Sequence, residues 1–148
     1  ATTEIYTLSL HDALPIYYKD ELFPEMVQLF VSSGLIDDRS TAIRVLEERE
    51  AKMSTGIAPG LGLPHAKLPE AKQTLMAMGI SKKGIEYDSL DGEPVYVVIC
   101  IFASGDRPGQ HILALAEISR IFSSPDFMDK LRSAEDASEV LELIRAEE

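Results

Sequence analysis

The sequence contains one cysteine and no tryptophan. The cysteine, Cys100, lies within an apolar segment and has no second cysteine in the chain with which to form a disulfide. We expect it to pack as a small apolar side chain, which is typical of proteins in a reducing compartment. The cysteine content therefore predicts a cytoplasmic protein whose fold is held by its core and not by disulfides.

Long apolar runs are also missing. The longest, residues 95–103, is much shorter than the roughly 20 residues that a membrane-spanning helix needs. The N-terminal residues do not combine a charged segment with a long apolar one, as a signal peptide does. The sequence thus predicts no direct membrane insertion.

Positive charge is scarce. The chain has 14 lysines and arginines against 25 aspartates and glutamates, which gives a formal net charge of −11. Binding to a nucleic-acid backbone needs clustered basic residues, so this balance argues against nucleic acid and favours a basic protein surface as partner. The P-loop pattern GxxxxGK[ST] is absent as well, so nothing indicates that the chain binds ATP.

What the sequence does contain is a regular pattern of helices and strands. With 148 residues, 45% of them hydrophobic, the chain can bury a core as one domain. Apolar spacing predicts helices over residues 17–34, 37–50, 105–122, 124–134 and 136–148, and strands over residues 74–82 and 95–103. Asp38 or Ser40 is the expected N-cap of the second helix and Ser124 that of the fourth. The interleaving predicts an α/β (α+β) fold, a mixed β-sheet flanked by helices.

The first sixteen residues, ATTEIYTLSLHDALPI, resemble the translated read-through of a sequencing adapter. We therefore interpret residues 1–16 as a non-native segment and residues 17–148 as the domain, and we leave His11 out of functional reasoning. The alternation in IYTLSL still predicts that this stretch can pair as a strand.

The segment GLGLPHAK, residues 60–67, places one histidine beside glycines and a proline. In an extended strand Leu61, Leu63 and His65 share one face, and the glycines on the other face let another backbone come close. Pro64 has no N–H to donate, so we expect the strand to end there. His65 is then either a buried histidine bonded to the backbone or a side chain that meets a partner.

Two more side chains could join His65. His111 lies in the first turn of a predicted helix, above an apolar stripe that includes Leu115, where free N–H groups favour an anion such as phosphate. Arg49 follows Val45 and Leu46 at helical spacing, which predicts that it extends the buried side of its helix. The simpler alternatives are a helix-start histidine without a partner and an arginine whose stem reaches solvent.

Ser54 and Thr55 precede the glycine-rich segment. Their hydroxyl groups could bind a phosphate, although turn formation is the default role for such a pair. A neutral imidazole is a nucleophile toward phosphorus, and an arginine fork matches phosphate geometry. Two histidines, an arginine and two hydroxyls together therefore suggest phosphoryl transfer through a histidine.

These residues resemble a known family. EREAKMSTGIAPGLGLPHAK, residues 48–67, is similar to the active-site signature of the type-2 enzyme IIA domains of the phosphoenolpyruvate:sugar phosphotransferase system, the fructose/mannitol class that includes the nitrogen-regulatory IIA proteins. DGEPVYVVICIFA and HILALAEISRIF match the strand and second-histidine helix of that family. The resemblance covers residues 17–148. It departs at Gly62, where the family often has alanine, and at Leu63, where it often has isoleucine.

The resemblance implies a function and its residues. His65 would accept a phosphoryl group from phospho-HPr and pass it to a cysteine of an EIIB component, with no cofactor. His111 would bond the phosphoryl group or orient His65, and Arg49 would stabilise the transferring charge. Thr55, and Ser54 beside it, would lie next to the phosphate. Glu50 belongs to the family's Arg-Glu pair, and we interpret its role as structural.

Two alternatives remain at this stage. A nitrogen-type regulatory IIA protein would use the phosphorylation state of His65 to control binding to partner proteins such as a kinase, a channel or a transcription factor. A metal site on His65 and His111 would need further ligands, and the sequence has no HxH or HxxxH spacing. The sequence leaves open which ring nitrogen of His65 would be phosphorylated.

Overall fold

The computed structural model of the chain describes residues 5–9, 17–56, 59–105, 110–122, 124–135 and 137–147. The described elements are, in chain order, β1 (Ile5–Ser9), α1 (Lys19–Ser32), α2 (Arg39–Lys52), β2 (Leu61–Gly62), β3 (His65–Leu68), β4 (Leu75–Ile85), β5 (Val95–Ser104), α3 (Gln110–Ile121), α4 (Pro125–Ser133) and α5 (Ala137–Glu147).

The strands form one mixed sheet. β1 pairs with β4 in parallel, and β4 pairs with β5 antiparallel. The other side of β5 carries two short parallel strands in succession, β2 opposite Val97 and Val98 and then β3 opposite Ile101 to Ser104. β2 and β3 therefore act as one edge strand that is interrupted at Leu63 and Pro64.

Each face of the sheet has its own core, because alternate residues of a strand point to opposite sides. On one face α1 and α2 cover Val98, Cys100 and Phe102. On the other face α3, α4 and α5 cover Val97, Ile99 and Ile101. The expected fold class, a mixed sheet flanked by helices, is confirmed. Cys100 is fully buried, and burial raises the pKa of its thiol, in line with an apolar packing role.

The predicted helix boundaries hold within a few residues, and the caps differ in detail. Asp38 is the N-cap of α2, and its side chain accepts a hydrogen bond from the backbone N–H of Thr41. Ser124 lies at the N-cap position of α4 but makes no side-chain cap bond there. α1 begins at Lys19, later than expected, and continues through Pro24, since its buried residues hold that helix against the sheet.

The N-terminal strand forms as its alternation predicts. β1 runs beside β4, with Ile5 opposite Met76 and Ser9 opposite Ile80. The non-native origin of residues 1–16 stays a prediction, and His11 lies outside the described residues.

Candidate functional site

His65 begins a strand and does not end one, which corrects the expectation from the sequence. The chain leaves the sheet after Gly62, passes Leu63 and Pro64, and pairs again from His65 onward. The interruption falls at Pro64 as expected, because proline has no N–H for the ladder, although its carbonyl still accepts from the N–H of Ile101 at 2.9 Å. The result is a half-buried histidine at a break in an edge strand.

The ring of His65 is oriented by its own backbone. Nδ1 lies 2.7 Å from the carbonyl oxygen of Leu63. A carbonyl oxygen only accepts hydrogen bonds, so this contact assigns the proton to Nδ1. In the neutral ring Nε2 is then left with a lone pair, which is the form a nucleophile requires.

The register of the sheet places His65 on the side of α3. His65 is paired with Ile101, which belongs to the same core as Leu61, Leu63 and Ile118 of α3. The predicted common face of the segment is thus confirmed for its two leucines. α3 packs against β5 on this side.

His111 is the second residue of α3, so the predicted first-turn position is correct. Its side chain lies outside the part of the chain that the structure describes. The proximity of the two imidazoles therefore stays a prediction, supported by the packing of α3 on the face of the sheet that His65 shares.

Arg49 lies beside the buried stripe of α2 and not within it. The buried positions of that helix are Ala42, Leu46 and Glu50, at i, i+4 and i+8, whereas Arg49 is partly exposed. Its Nη1 donates to the carbonyl of Met53 at 3.0 Å, at the C-terminal end of α2 where a positive charge is favourable. Of the two interpretations of Arg49, the arginine whose stem reaches solvent fits this geometry, and the buried side of α2 continues at Glu50. The guanidinium is accessible from solvent, so an anionic group of a ligand or partner can contact it.

Glu50 takes the buried position that was expected for Arg49. One oxygen of its carboxylate accepts from the backbone N–H of Thr55 at 2.9 Å and from Nζ of Lys19 at 3.2 Å, and the other accepts from the hydroxyl of Thr55 at 2.7 Å. The side chain is 5% exposed, so these bonds supply the partners that a buried carboxylate needs. The structural role expected for Glu50 fits this geometry.

The two hydroxyls thought to bind phosphate differ in their surroundings. Thr55 is 2% exposed and its hydroxyl contacts Glu50 and Tyr87. The hydroxyl of Ser54 accepts from the N–H of Gly56 at 3.1 Å, which is turn chemistry. Both roles at a phosphate stay predictions, and of the two hydroxyls only that of Ser54 is partly accessible.

Sequence reasoning missed Tyr87. Its hydroxyl lies 2.7 Å from that of Thr55, and its ring lies against Gly62, where an added Cβ would come within 3.0 Å of the ring. Burial raises the pKa of the Tyr87 phenol, and the charge of Glu50 raises it further, so the phenol keeps its proton. The sequence predicted that another backbone would approach Gly62. The structure instead places the side chain of Tyr87 there. Tyr87 follows a strand in a turn-rich segment, where no periodicity marks it as buried.

Within the described residues no group of three or more histidine, cysteine, aspartate or glutamate side chains is arranged to hold a metal ion. In the same part of the chain no helix is both long and apolar enough to cross a bilayer.

The model of a protein family matches almost the whole chain. This family, described as "Phosphoenolpyruvate-dependent sugar phosphotransferase system, EIIA 2", is matched over residues 12–147. The chain belongs to this family. Membership of the EIIA type 2 family implies phosphotransfer, and the match begins inside the segment 1–16 that resembles an adapter.

Relatives of this chain differ in how much of their own length the match covers. The fructose-specific EIIA component of Haloferax volcanii is 30% identical over 142 residues, which are 96% of this chain and 91% of that protein. The fructose-specific EIIABC component of Bacillus subtilis is 32% identical over 126 residues, which are 85% of this chain but only 20% of that protein.

Solved structures share the fold of this EIIA domain. The nitrogen regulatory protein IIA-Ntr of Neisseria meningitidis superposes with a TM-score of 0.83 at 24% identity, covering 95% of this chain and 92% of that one. Enzyme IIA mannitol of Escherichia coli, in complex with phosphorylated enzyme IIB mannitol, superposes with a TM-score of 0.75 at 19% identity, covering 96% and 94%. At these identities the likeness shows the fold.

Proposed function

We propose that this EIIA domain is a phosphocarrier that accepts a phosphoryl group from phospho-HPr on Nε2 of His65 and passes it to an EIIB component. The observation that carries the proposal is the 2.7 Å contact between Nδ1 of His65 and the carbonyl of Leu63, within the signature segment of the family. That contact leaves Nε2 as the nitrogen with a lone pair, and the break in the edge strand presents it.

The transfer consists of two displacements at phosphorus. The lone pair of Nε2 forms the bond to phosphorus, and the bond to the donor breaks with its electron pair staying on the donor. In the second step a cysteine thiolate of EIIB attacks phosphorus, and the electron pair of the N–P bond returns to Nε2. The proton on Nδ1 stays in place throughout, shared with the carbonyl of Leu63.

The remaining residues of the proposed site stabilise charge and position. Arg49 neutralises the oxygens of the transferring group, since its guanidinium reaches solvent at the end of α2. His111 bonds the phosphoryl group from the start of α3, where the free N–H groups of the helix also favour an anion. Ser54 is the hydroxyl donor to the phosphate, and Thr55 acts by holding the loop.

Partner proteins would dock on the apolar side chains that lie next to these residues in the chain. Met53 follows Arg49 by one helical turn and is 58% exposed, and Ile112 and Leu113 follow His111 and are 60% and 74% exposed. A contiguous patch of exposed apolar side chains marks a protein-binding surface, and the proposal is that these three side chains belong to one such patch. The proposal includes a cytoplasmic location, where phospho-HPr and the EIIB component would be encountered.

The deciding experiment is phosphoryl transfer from phosphoenolpyruvate through enzyme I and HPr. Wild type should acquire an acid-labile, base-stable label, and His65→Ala should acquire none. His11→Ala is the matched control, because it removes another of the three histidines and should label normally. His111→Ala and Arg49→Lys should slow transfer about tenfold or more and leave the acceptor intact. A folded wild type without label would refute the proposal.

A second experiment distinguishes a phosphocarrier from a regulatory protein. Addition of a fructose-type EIIB domain to the labelled protein should remove the label. If the label stays with every EIIB tested, while phosphorylation changes which proteins are retained in a pull-down, the chain is a nitrogen-type regulatory IIA protein instead.

A further inference from the structure

Tyr87 touches the signature segment at two points. Its ring lies on Gly62, with Cε2 and Cζ 3.0 Å from the position of an added Cβ. Its hydroxyl lies 2.7 Å from the hydroxyl of Thr55. The tyrosine is 0% exposed, and Nζ of Lys19 lies 5.1 Å from the centre of its ring. One side chain thus spans the loop after α2 and the strand before His65.

The direction of the hydrogen bonds in this cluster follows from the carboxylate. Glu50 can only accept, so the hydroxyl of Thr55 donates its single proton to Glu50. The hydroxyl of Thr55 must then accept from Tyr87, whose phenol keeps its proton. The chain therefore runs from Tyr87 to Thr55 to Glu50, and Lys19 completes it as the counter-charge.

The cluster is linked to His65 through the backbone. The carbonyl of Thr55 accepts from the N–H of Leu63 at 3.1 Å. The carbonyl of the same Leu63 accepts from Nδ1 of His65 at 2.7 Å. Leu63 is held at its N–H by Thr55 and is flanked by Gly62, against which the tyrosine ring packs. These contacts limit how the next peptide group, Leu63–Pro64, can turn its carbonyl toward His65.

We propose that Tyr87 is a positioning residue for His65: by holding Thr55 and Gly62 it fixes the carbonyl of Leu63, and this carbonyl selects the tautomer with the proton on Nδ1. The inference rests on the proposed function of His65 as phosphoacceptor. Tyr87 does not touch the transferring group. Its effect is on the fraction of His65 that is ready to react and on the orientation of Nε2.

The test uses Tyr87→Phe, which removes one oxygen and keeps the ring against Gly62. Histidine-selective ¹⁵N labelling and long-range ¹H–¹⁵N correlation spectra report the tautomer of His65 in the unphosphorylated protein. Wild type should show the Nδ1–H form, and the variant a mixture of both tautomers. Its rate of labelling by phospho-HPr should fall about three- to tenfold, the size expected for one hydrogen bond.

Matched variants distinguish an effect on the orientation of His65 from a general loss of stability. Tyr96→Phe removes the same atom from a half-buried tyrosine whose ring stacks on Arg132, and it should change neither the tautomer nor the rate. Thr55→Val should reproduce the effect of Tyr87→Phe. Thr55→Ser, which keeps the hydroxyl, should show the same His65 spectrum as the wild type. The free energy of unfolding of each variant is measured alongside.

An unchanged His65 spectrum and an unchanged rate in folded Tyr87→Phe and Thr55→Val would overturn the inference, whatever their stability. A wild type that is never phosphorylated would refute the proposed function instead. The tautomer readout would still decide whether Tyr87 controls His65, because it needs no phosphoryl donor.

Discussion

The carbonyl oxygen of Leu63 lies 2.7 Å from Nδ1 of His65, so a backbone group two residues away determines which nitrogen of the imidazole is free. The arrangement depends on Pro64. The proline interrupts the pairing of the edge strand and lets the chain turn the Leu63 carbonyl toward the ring. A local break in the sheet thereby orients the imidazole ring through its Nδ1.

The buried carboxylate of Glu50 should contribute strongly to stability. Glu50→Gln leaves Lys19 without its counter-charge and replaces an acceptor oxygen of the Thr55 bonds by an amide, so we expect a loss of about 2–4 kcal/mol in urea unfolding. Glu48→Gln is the control, since it breaks the exposed Arg44 pair on the same helix and should cost less than about 1 kcal/mol.

A double substitution tests whether the ion pair between Lys19 and Glu50 accounts for the stability loss expected of Glu50→Gln. Lys19→Met combined with Glu50→Gln should cost less than the sum of the two single changes, because each single change leaves one charge of the partly buried pair without its partner. Additive losses would show that the hydrogen bonds to Thr55 account for the effect and that the ion pair does not.

Gly62→Ala should be destabilising. In this chain the Tyr87 ring lies 3.0 Å from where the new Cβ would be, so the ring or the strand must shift. We expect a loss of about 1–3 kcal/mol in urea unfolding together with slower labelling of His65. Gly105→Ala, whose Cβ would have no heavy atom of the described residues within 4 Å, should change stability by less than about 0.5 kcal/mol. Equal effects at the two glycines would contradict the role of the ring.

Much of the fold was predictable because it is encoded locally. The β-branched run of β5 and the apolar spacing of the helices indicate their elements directly, and Asp38 marks the start of α2. The glycines and Pro64 also indicated that strand pairing is interrupted before His65. These signals depend on neighbours in the chain, which a single sequence shows.

What the sequence did not reveal depends on distant contacts. That β2 and β3 share one side of β5 is a matter of tertiary pairing, so His65 was expected at a strand end. The burial of Tyr87 is decided by Thr55 and Gly62, which lie far from it in the chain. Glu50 and Arg49 are one residue apart, and helical spacing alone did not decide which of them faces the core.

The N-cap of α2 makes part of the stability depend on pH. Asp38 accepts from the hydroxyl of Thr41 at 2.6 Å and from its N–H at 3.1 Å, and these bonds lower the pKa of the Asp38 carboxyl from 3.8 in the unfolded reference. A depressed folded-state pKa stabilises the protein fully above the unfolded pKa and loses this contribution as the pH falls through the folded pKa.

Asp38→Ala should therefore lower the melting temperature by a few degrees at about pH 7, and its difference from wild type should shrink as the pH falls below about 4. Thermal unfolding at several pH values measures this. Asp37→Ala is the neighbouring control, because the hydrogen bond of Asp37 to Glu70 is made by its backbone N–H, which alanine retains. If the difference between wild type and Asp38→Ala were the same at every pH, the cap would act through backbone preference and not through its charge.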